Sequence, residues 1–105
     1  MLPADDPNLK RFRTALDRLY GDRVERIVLF GSRARGDADA ASDYDIAVFL
    51  KDLRTLAEEL HRLASISTDI LLETGAVISA KPFRSGADRE RTGFMHELRR
   101  DGIDL

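Results

Sequence analysis

The 105-residue sequence contains no cysteine and only two histidines. Without cysteine, neither a disulfide nor a thiolate zinc site can form. With His61 and His96 as the only imidazoles, a histidine-rich metal cage is not expected either. The longest apolar run, residues 27–30, is far shorter than the ~20 residues of a membrane-spanning helix. The N-terminus lacks the basic start and apolar core of a signal peptide, so the cytoplasm is the expected compartment.

The sequence also lacks an excess of basic residues. Its 17 lysines and arginines are outnumbered by 19 aspartates and glutamates, which gives a formal net charge of -2. A domain dedicated to nucleic-acid binding normally carries a basic surplus that displaces counterions from phosphate. We therefore expect no direct nucleic-acid binding, and any polyanion that binds must meet a local cluster of charges or metal ions.

The length predicts a single domain over residues 1–105, near the lower end of what folds alone. Hydrophobic residues make up 43% and charged residues 34% of the chain, as in ordinary globular proteins. Apolar spacing and turn residues predict an α/β (α+β) fold in the order α, β, short α, β, α, β(β), α. The expected helices cover residues 7–20, part of 31–42, 52–63 and 88–100, and the expected strands cover 24–30, 43–50, 68–72 and 76–80.

Asp43 and Asp45 lie two residues apart at the start of a predicted strand. Residues at this spacing point to the same side of a strand, so both carboxylates project from one face. Two like charges so close repel each other unless a cation lies between them. Carboxylate oxygens on a rigid strand suit Mg²⁺, which takes further ligands from water and substrate phosphates. A solvent-facing polar strand end is the alternative for such a pair taken alone.

Gly31 and Ser32 follow directly on the apolar strand that ends at Phe30. A glycine lets the backbone approach a phosphate closely, and the N–H groups that open a helix can donate to phosphate oxygens together with the serine hydroxyl. Combined with the two aspartates, this turn supplies both halves of a metal–triphosphate site. Competing motifs fail, because Asp37 stands where a Walker loop requires lysine, no G-x-G-x-x-G is present, and the acidic stretch lacks the glycine and glutamate of a calcium loop.

The segment Gly31-Ser32-Arg33-Ala34-Arg35-Gly36, followed by Ser42-Asp43-Tyr44-Asp45-Ile46, resembles the G-S-x10-D-x-D motif of the DNA polymerase beta-like nucleotidyltransferase superfamily. It is most similar to the minimal nucleotidyltransferase (MNT) branch. The resemblance implies a small mixed β-sheet flanked by helices, and transfer of a nucleoside monophosphate from a triphosphate such as ATP to a hydroxyl group.

In this family two Mg²⁺ ions are held by three carboxylates, so the resemblance also implies which residues form the site. Asp43 and Asp45 match the first two carboxylates. The third normally lies on a later strand, where Asp69 fits best and Glu73 is the alternative. Gly31 and Ser32 would hold the β- and γ-phosphates, and the two following arginines would add positive charge to the nucleotide site; these are Arg33 and Arg35.

The chain is too short to contain an acceptor-binding domain beside the catalytic one. The MNT branch includes antitoxins of HEPN–MNT modules, in which the small enzyme transfers AMP to a tyrosine of its HEPN toxin. The resemblance therefore implies a protein adenylyltransferase antitoxin with a HEPN partner. Two alternatives remain open: a weak or inactive binding module that neutralises its partner by contact, and a subunit that nucleotidylates a small molecule.

Overall fold

The computed structural model describes residues 2–105 as four α-helices, three short 3-10 helices and four strands. In chain order the elements are α1 (Pro7–Tyr20), β1 (Val24–Phe30), α2 (Ser32–Arg35), β2 (Tyr44–Leu50), α3 (Leu56–Thr74), β3 (Ile78–Arg84), α4 (Gly93–Asp101) and β4 (Ile103–Asp104). Among these residues, no helix is both long and apolar enough to cross a membrane.

The four strands form one mixed sheet in the order β3-β2-β1-β4. Strand β1 runs antiparallel to both β2 and β4, whereas β2 and β3 are parallel. Parallel neighbours need a long crossover, and α3 provides it between β2 and β3. The predicted α/β class with a small mixed sheet is thus confirmed.

Helix α1 begins and ends where the sequence predicted. The Asp6 carboxylate accepts a hydrogen bond from the Asn8 N–H at 2.8 Å, and Pro7 occupies the first helical position, where a missing N–H costs nothing. Gly21 ends the helix with a positive φ of 56°. One apolar stripe of α1 is buried, formed by Leu9, Phe12, Leu16 and Tyr20.

The predicted strands at residues 68–72 and 76–80 are the main error. Residues 68–72 belong to α3, which continues to Thr74 and ends at Gly75, where φ is 79°. Leu63, Ile66 and Ile70 recur at three- and four-residue spacing and pack into the core, so the helical stripe outweighs the β-branched composition of this segment. The strand begins later, at Ile78, and includes Pro82, whose missing N–H is tolerated on an edge strand.

The sheet has two unlike faces. One face packs against α1 and α3 in a large apolar core to which β2 contributes Tyr44, Ile46, Val48 and Leu50. The other face packs mainly against the shorter α4 in a smaller core, formed by Val28, Ala47, Phe49, Met95 and Leu98. The first face is called the helical face below, and the second the α4 face.

Candidate active site

Asp43 and Asp45 lie at the N-terminal end of β2, on the α4 face of the sheet. Asp43 is exposed and Asp45 is half-buried, while Tyr44 between them is buried on the helical face. The pKa of Asp45 is raised, first by burial and then by the negative charge of Asp43; Lys81 and Arg35 oppose the shift. The two carboxylates are thus close enough to repel each other, and a bound cation would relieve both the repulsion and the burial.

Gly31 is fitted closely against this carboxylate. A Cβ added at Gly31 would contact Oδ2 of Asp45 and lie 3.2 Å from its Cγ. The backbone angles of Gly31, φ 75° and ψ -158°, fall in a region that is essentially restricted to glycine. The glycine predicted from the motif is therefore required here both for the turn and for the space that Asp45 occupies.

Ser32 opens α2, a single helical turn that closes on Gly36. The N–H groups of Ala34 and Arg35 both donate to the Gly31 carbonyl at 3.1 Å, and Gly36 adopts a left-handed conformation with φ 84°. The first N–H groups of a helix have no partner within it, so the turn presents donors beside Asp45. The structure thus brings Gly31, Ser32 and the aspartate pair together at one end of the sheet.

Arg33 contacts a backbone carbonyl and an aromatic ring of the protein itself. Its Nε donates to the Ser42 carbonyl at 2.9 Å, and its guanidinium lies 3.8 Å from the centroid of the Tyr44 ring. The Tyr44 hydroxyl in turn donates to Asp6 at 2.6 Å. These contacts attach Arg33 to the loop that leads into β2 and to the tyrosine between the two aspartates.

Arg35 lies nearer to the site and is exposed. Its Nε is 3.3 Å from Oδ2 of Asp37 in a surface ion pair, an arrangement that is usually weak. Its charge also acts on Asp45, whose pKa it lowers against the larger effect of burial. Of the two predicted arginines, Arg35 is therefore the one that is exposed and whose charge acts on Asp45.

Asp69 and Glu73 do not join the site. Both lie exposed on α3, which packs on the helical face, whereas Asp45 is on the α4 face. Glu73 forms a two-point ion pair with Arg11 of α1 at 3.1 Å, and this arginine holds the pKa of Glu73 below its usual range. The expectation that the third carboxylate follows on a strand at Asp69 is wrong, because the segment is helical. Among residues 2–105, no three His, Cys, Asp or Glu side chains converge as metal ligands.

Two residues that the sequence reasoning missed lie beside Asp45 instead. Ser79 of β3 pairs with Asp45, and Lys81 pairs with Ala47, so both are on the α4 face. Their position could have been found from the alternation in Ile78-Ser79-Ala80-Lys81 if the strand had been extended beyond Ala80. The strand that follows α3 thus presents a serine and a lysine to the α4 face, whereas the third carboxylate was expected at Asp69, which lies in α3.

Comparisons with known proteins show the family and the fold of the chain. A family model described as nucleotidyltransferase domain matches residues 9–91. A protein of Methanocaldococcus jannaschii, described as a candidate protein adenylyltransferase, is 29% identical over 97 residues, which are 92% of this chain and 94% of the relative. Two solved toxin–antitoxin structures, one with AMP-PNP and one of a mutant MntA–HpeT pair, share the fold with TM-scores of 0.64 and 0.63. Each aligns over 90% of this chain and 69% of the solved chain, at 17% identity.

Proposed function

Because the chain belongs to the nucleotidyltransferase domain family, we propose that it transfers AMP from ATP to a hydroxyl group of a partner protein. The observation that carries this proposal is the contact between Gly31 and the Asp45 carboxylate. This contact places a turn with free N–H donors beside a carboxylate pair. The N–H groups can bind phosphate oxygens and the carboxylates can bind a metal ion, and a metal–triphosphate complex requires both. The name of the archaeal relative supports adenylyl transfer to a protein.

The residues fit one Mg²⁺ ion. Asp43 and Asp45 would hold it, since burial and mutual repulsion raise the pKa of Asp45 and both are relieved by a cation. When bound, Mg²⁺ neutralises phosphate charge and polarises the phosphoryl group under attack. The two ions that the family resemblance implies are not matched by the described residues, because no third carboxylate joins the pair.

The main contribution of this chain to the reaction is to position the triphosphate, and it contributes little acid–base chemistry. Gly31 and Ser32 bind the β- and γ-phosphates, and Arg35 adds positive charge beside them. The acceptor oxygen forms a bond to the α-phosphorus as the bond to the β-phosphate oxygen breaks. Pyrophosphate leaves with the bonding electrons, and the acceptor proton passes to solvent. Alignment of this in-line displacement is the main contribution of such a site.

We propose that the acceptor is a tyrosine of a HEPN-type toxin encoded beside this chain. The solved toxin–antitoxin complexes that share the fold support a toxin as partner. Modification of the toxin would silence it, so the chain would act as an antitoxin. Because ATP is its substrate, we expect it to act in the cytoplasm.

The experiment incubates the purified chain with α-labelled ATP, Mg²⁺ and the product of the neighbouring gene. We expect the label on the partner, with loss of at least 100-fold in the Asp43→Asn, Asp45→Asn double variant, as for removal of essential charge stabilisation. Asp69→Asn is the matched control and should transfer AMP at the wild-type rate, because Asp69 lies on the other face.

The lack of a third carboxylate at the site favours one rival, a module that neutralises its partner by contact. Tight binding to the partner without label transfer would establish that rival and refute the enzyme. Label on an added aminoglycoside, with none on the partner, would instead identify a small-molecule nucleotidyltransferase.

A further inference from the structure

Lys81 is a cation on the same face of the sheet as the aspartate pair. It lies on β3 in register with Ala47, one pair beyond the Asp45–Ser79 pair. Neighbouring strands lie about 4.8 Å apart and each residue advances about 3.3 Å, so Cα atoms two positions apart on adjacent strands are about 8 Å apart, a distance that a lysine side chain spans.

One of three clustered phenylalanines contacts this exposed side chain. The Lys81 ammonium lies 5.9 Å from the centroid of the Phe94 ring, within the range of a cation–π contact. Phe94 packs against Phe83 at 5.5 Å and edge-on against Phe30 at 5.2 Å. Phe30 is the cross-strand partner of Asp45. The aromatic cluster thus extends from Lys81 to the strand position opposite Asp45, and none of the ion pairs among residues 2–105 involves Lys81.

The balance of charges at the site indicates a role for the Lys81 ammonium. One Mg²⁺ would balance Asp43 and Asp45, so the charge of the triphosphate must be met by other groups. Arg33 is engaged by the Ser42 carbonyl and the Tyr44 ring, and Arg35, held only in a surface ion pair with Asp37, is assigned to the β- and γ-phosphates. Lys81 is a further cation on the α4 face, one register pair beyond Asp45 on the neighbouring strand.

The strand order indicates which phosphate Lys81 meets. Gly31 follows β1, Asp45 lies on β2 and Lys81 lies on β3, so the aspartate is between the turn and the lysine. With the β- and γ-phosphates at Gly31 and Ser32, the remaining part of the triphosphate extends past Asp45 towards β3. We propose that Lys81 binds the α-phosphate, the group that is transferred. This assignment rests on the proposed function and adds to it a contact from β3.

The experiment measures the affinities of AMP, ADP and ATP for the chain alone, with Mg²⁺, by isothermal titration calorimetry. The α-phosphate is common to all three ligands, so Lys81→Met should weaken each of them by a similar factor of about ten, as for loss of one hydrogen bond to a charged group. Ser32→Ala should weaken ADP and ATP and spare AMP. Lys81→Arg should recover part of the affinity, and Lys51→Met is the control, an exposed lysine beyond the other end of β2.

The possible outcomes separate the two proposals. If the wild-type chain binds no nucleotide, the proposed function itself is overturned. If it binds all three and Lys81→Met matches Lys51→Met, only the role of Lys81 is overturned. Loss of ADP and ATP affinity with AMP unchanged would also overturn it, because Lys81 would then contact a terminal phosphate. Circular dichroism of each variant establishes that the fold is intact.

Discussion

The helical face and the α4 face of the sheet differ in how completely they are covered. Helices of 14 and 19 residues cover the helical face, and the four β2 side chains directed into it are buried. The nine-residue α4 covers only part of the other face, so Ala47 and Phe49 are buried there while Asp45 is half-buried. A short covering helix thus leaves one end of the strand open for a ligand.

Strand β2 serves both faces at once. Because successive side chains of a strand point to opposite sides, Tyr44 can be buried in the core while Asp43 and Asp45 face the site. We therefore expect stability to rest mainly on the helical face, and we assign the proposed chemistry to the α4 face. Three predictions test this division, from the largest expected effect to the smallest.

The first prediction concerns Phe12, which is fully buried on the helical face. We expect Phe12→Ala to lower the free energy of unfolding by about 3–5 kcal/mol, because it removes apolar contacts and leaves a cavity. Urea denaturation followed by circular dichroism measures the change. Leu72→Ala, at a leucine that is 80% exposed, should cost less than about 0.5 kcal/mol. Similar costs for the two variants would show that α1 does not carry the core.

The second prediction compares two glycines that flank α2. Gly31→Ala should lower the free energy of unfolding by about 2–3 kcal/mol, since it combines backbone strain with a contact against Asp45. Gly36 also has a positive φ, but a Cβ added there would meet open space. Gly36→Ala should therefore lower the free energy of unfolding by only about 1 kcal/mol. Thermal denaturation gives both values. Equal costs would mean that the Asp45 carboxylate moves aside easily and that the close fit is not required.

The third prediction concerns the pH dependence of stability that arises from Asp45, on the α4 face. The folded state raises the pKa of Asp45 above its ordinary 3.8, so ionisation of this group opposes folding. The stability of the folded state that comes from protonated Asp45 is fully present below pH 3.8, and it is lost as the pH rises through the folded-state pKa of this group. Without Mg²⁺, Asp45→Asn should therefore be more stable than wild type at neutral pH, and the difference should vanish as the pH falls.

The control for the pH experiment is Mg²⁺ itself. The ion stabilises the ionised carboxylate pair and has less affinity for the variant, so adding it should reduce or reverse the advantage of Asp45→Asn at neutral pH. A variant that is less stable than wild type at neutral pH without Mg²⁺ would contradict the raised pKa of Asp45.

Much of the fold was predictable because the signals were local. The Asp6 cap, the apolar stripe of α1 and the Gly21 stop define that helix within neighbouring residues. The alternation along β2 likewise separates the aspartates from Tyr44. The segment at residues 68–72 was not predictable from composition, because its β-branched residues favour a strand while burial of Ile70 against the core selects a helix.

The sequence by itself determined the Gly31–Ser32 turn and the Asp43–Asp45 pair, since backbone geometry and the two-residue period of a strand set them locally. Only the tertiary structure decided what stands beside them. In the folded chain Arg33 contacts the Tyr44 ring, and Asp69 lies on the helix that packs on the helical face. Lys81 lies on β3, one register pair beyond Asp45. The physical reason is that strand register and helix packing arise from burial across the whole chain, which no local pattern contains.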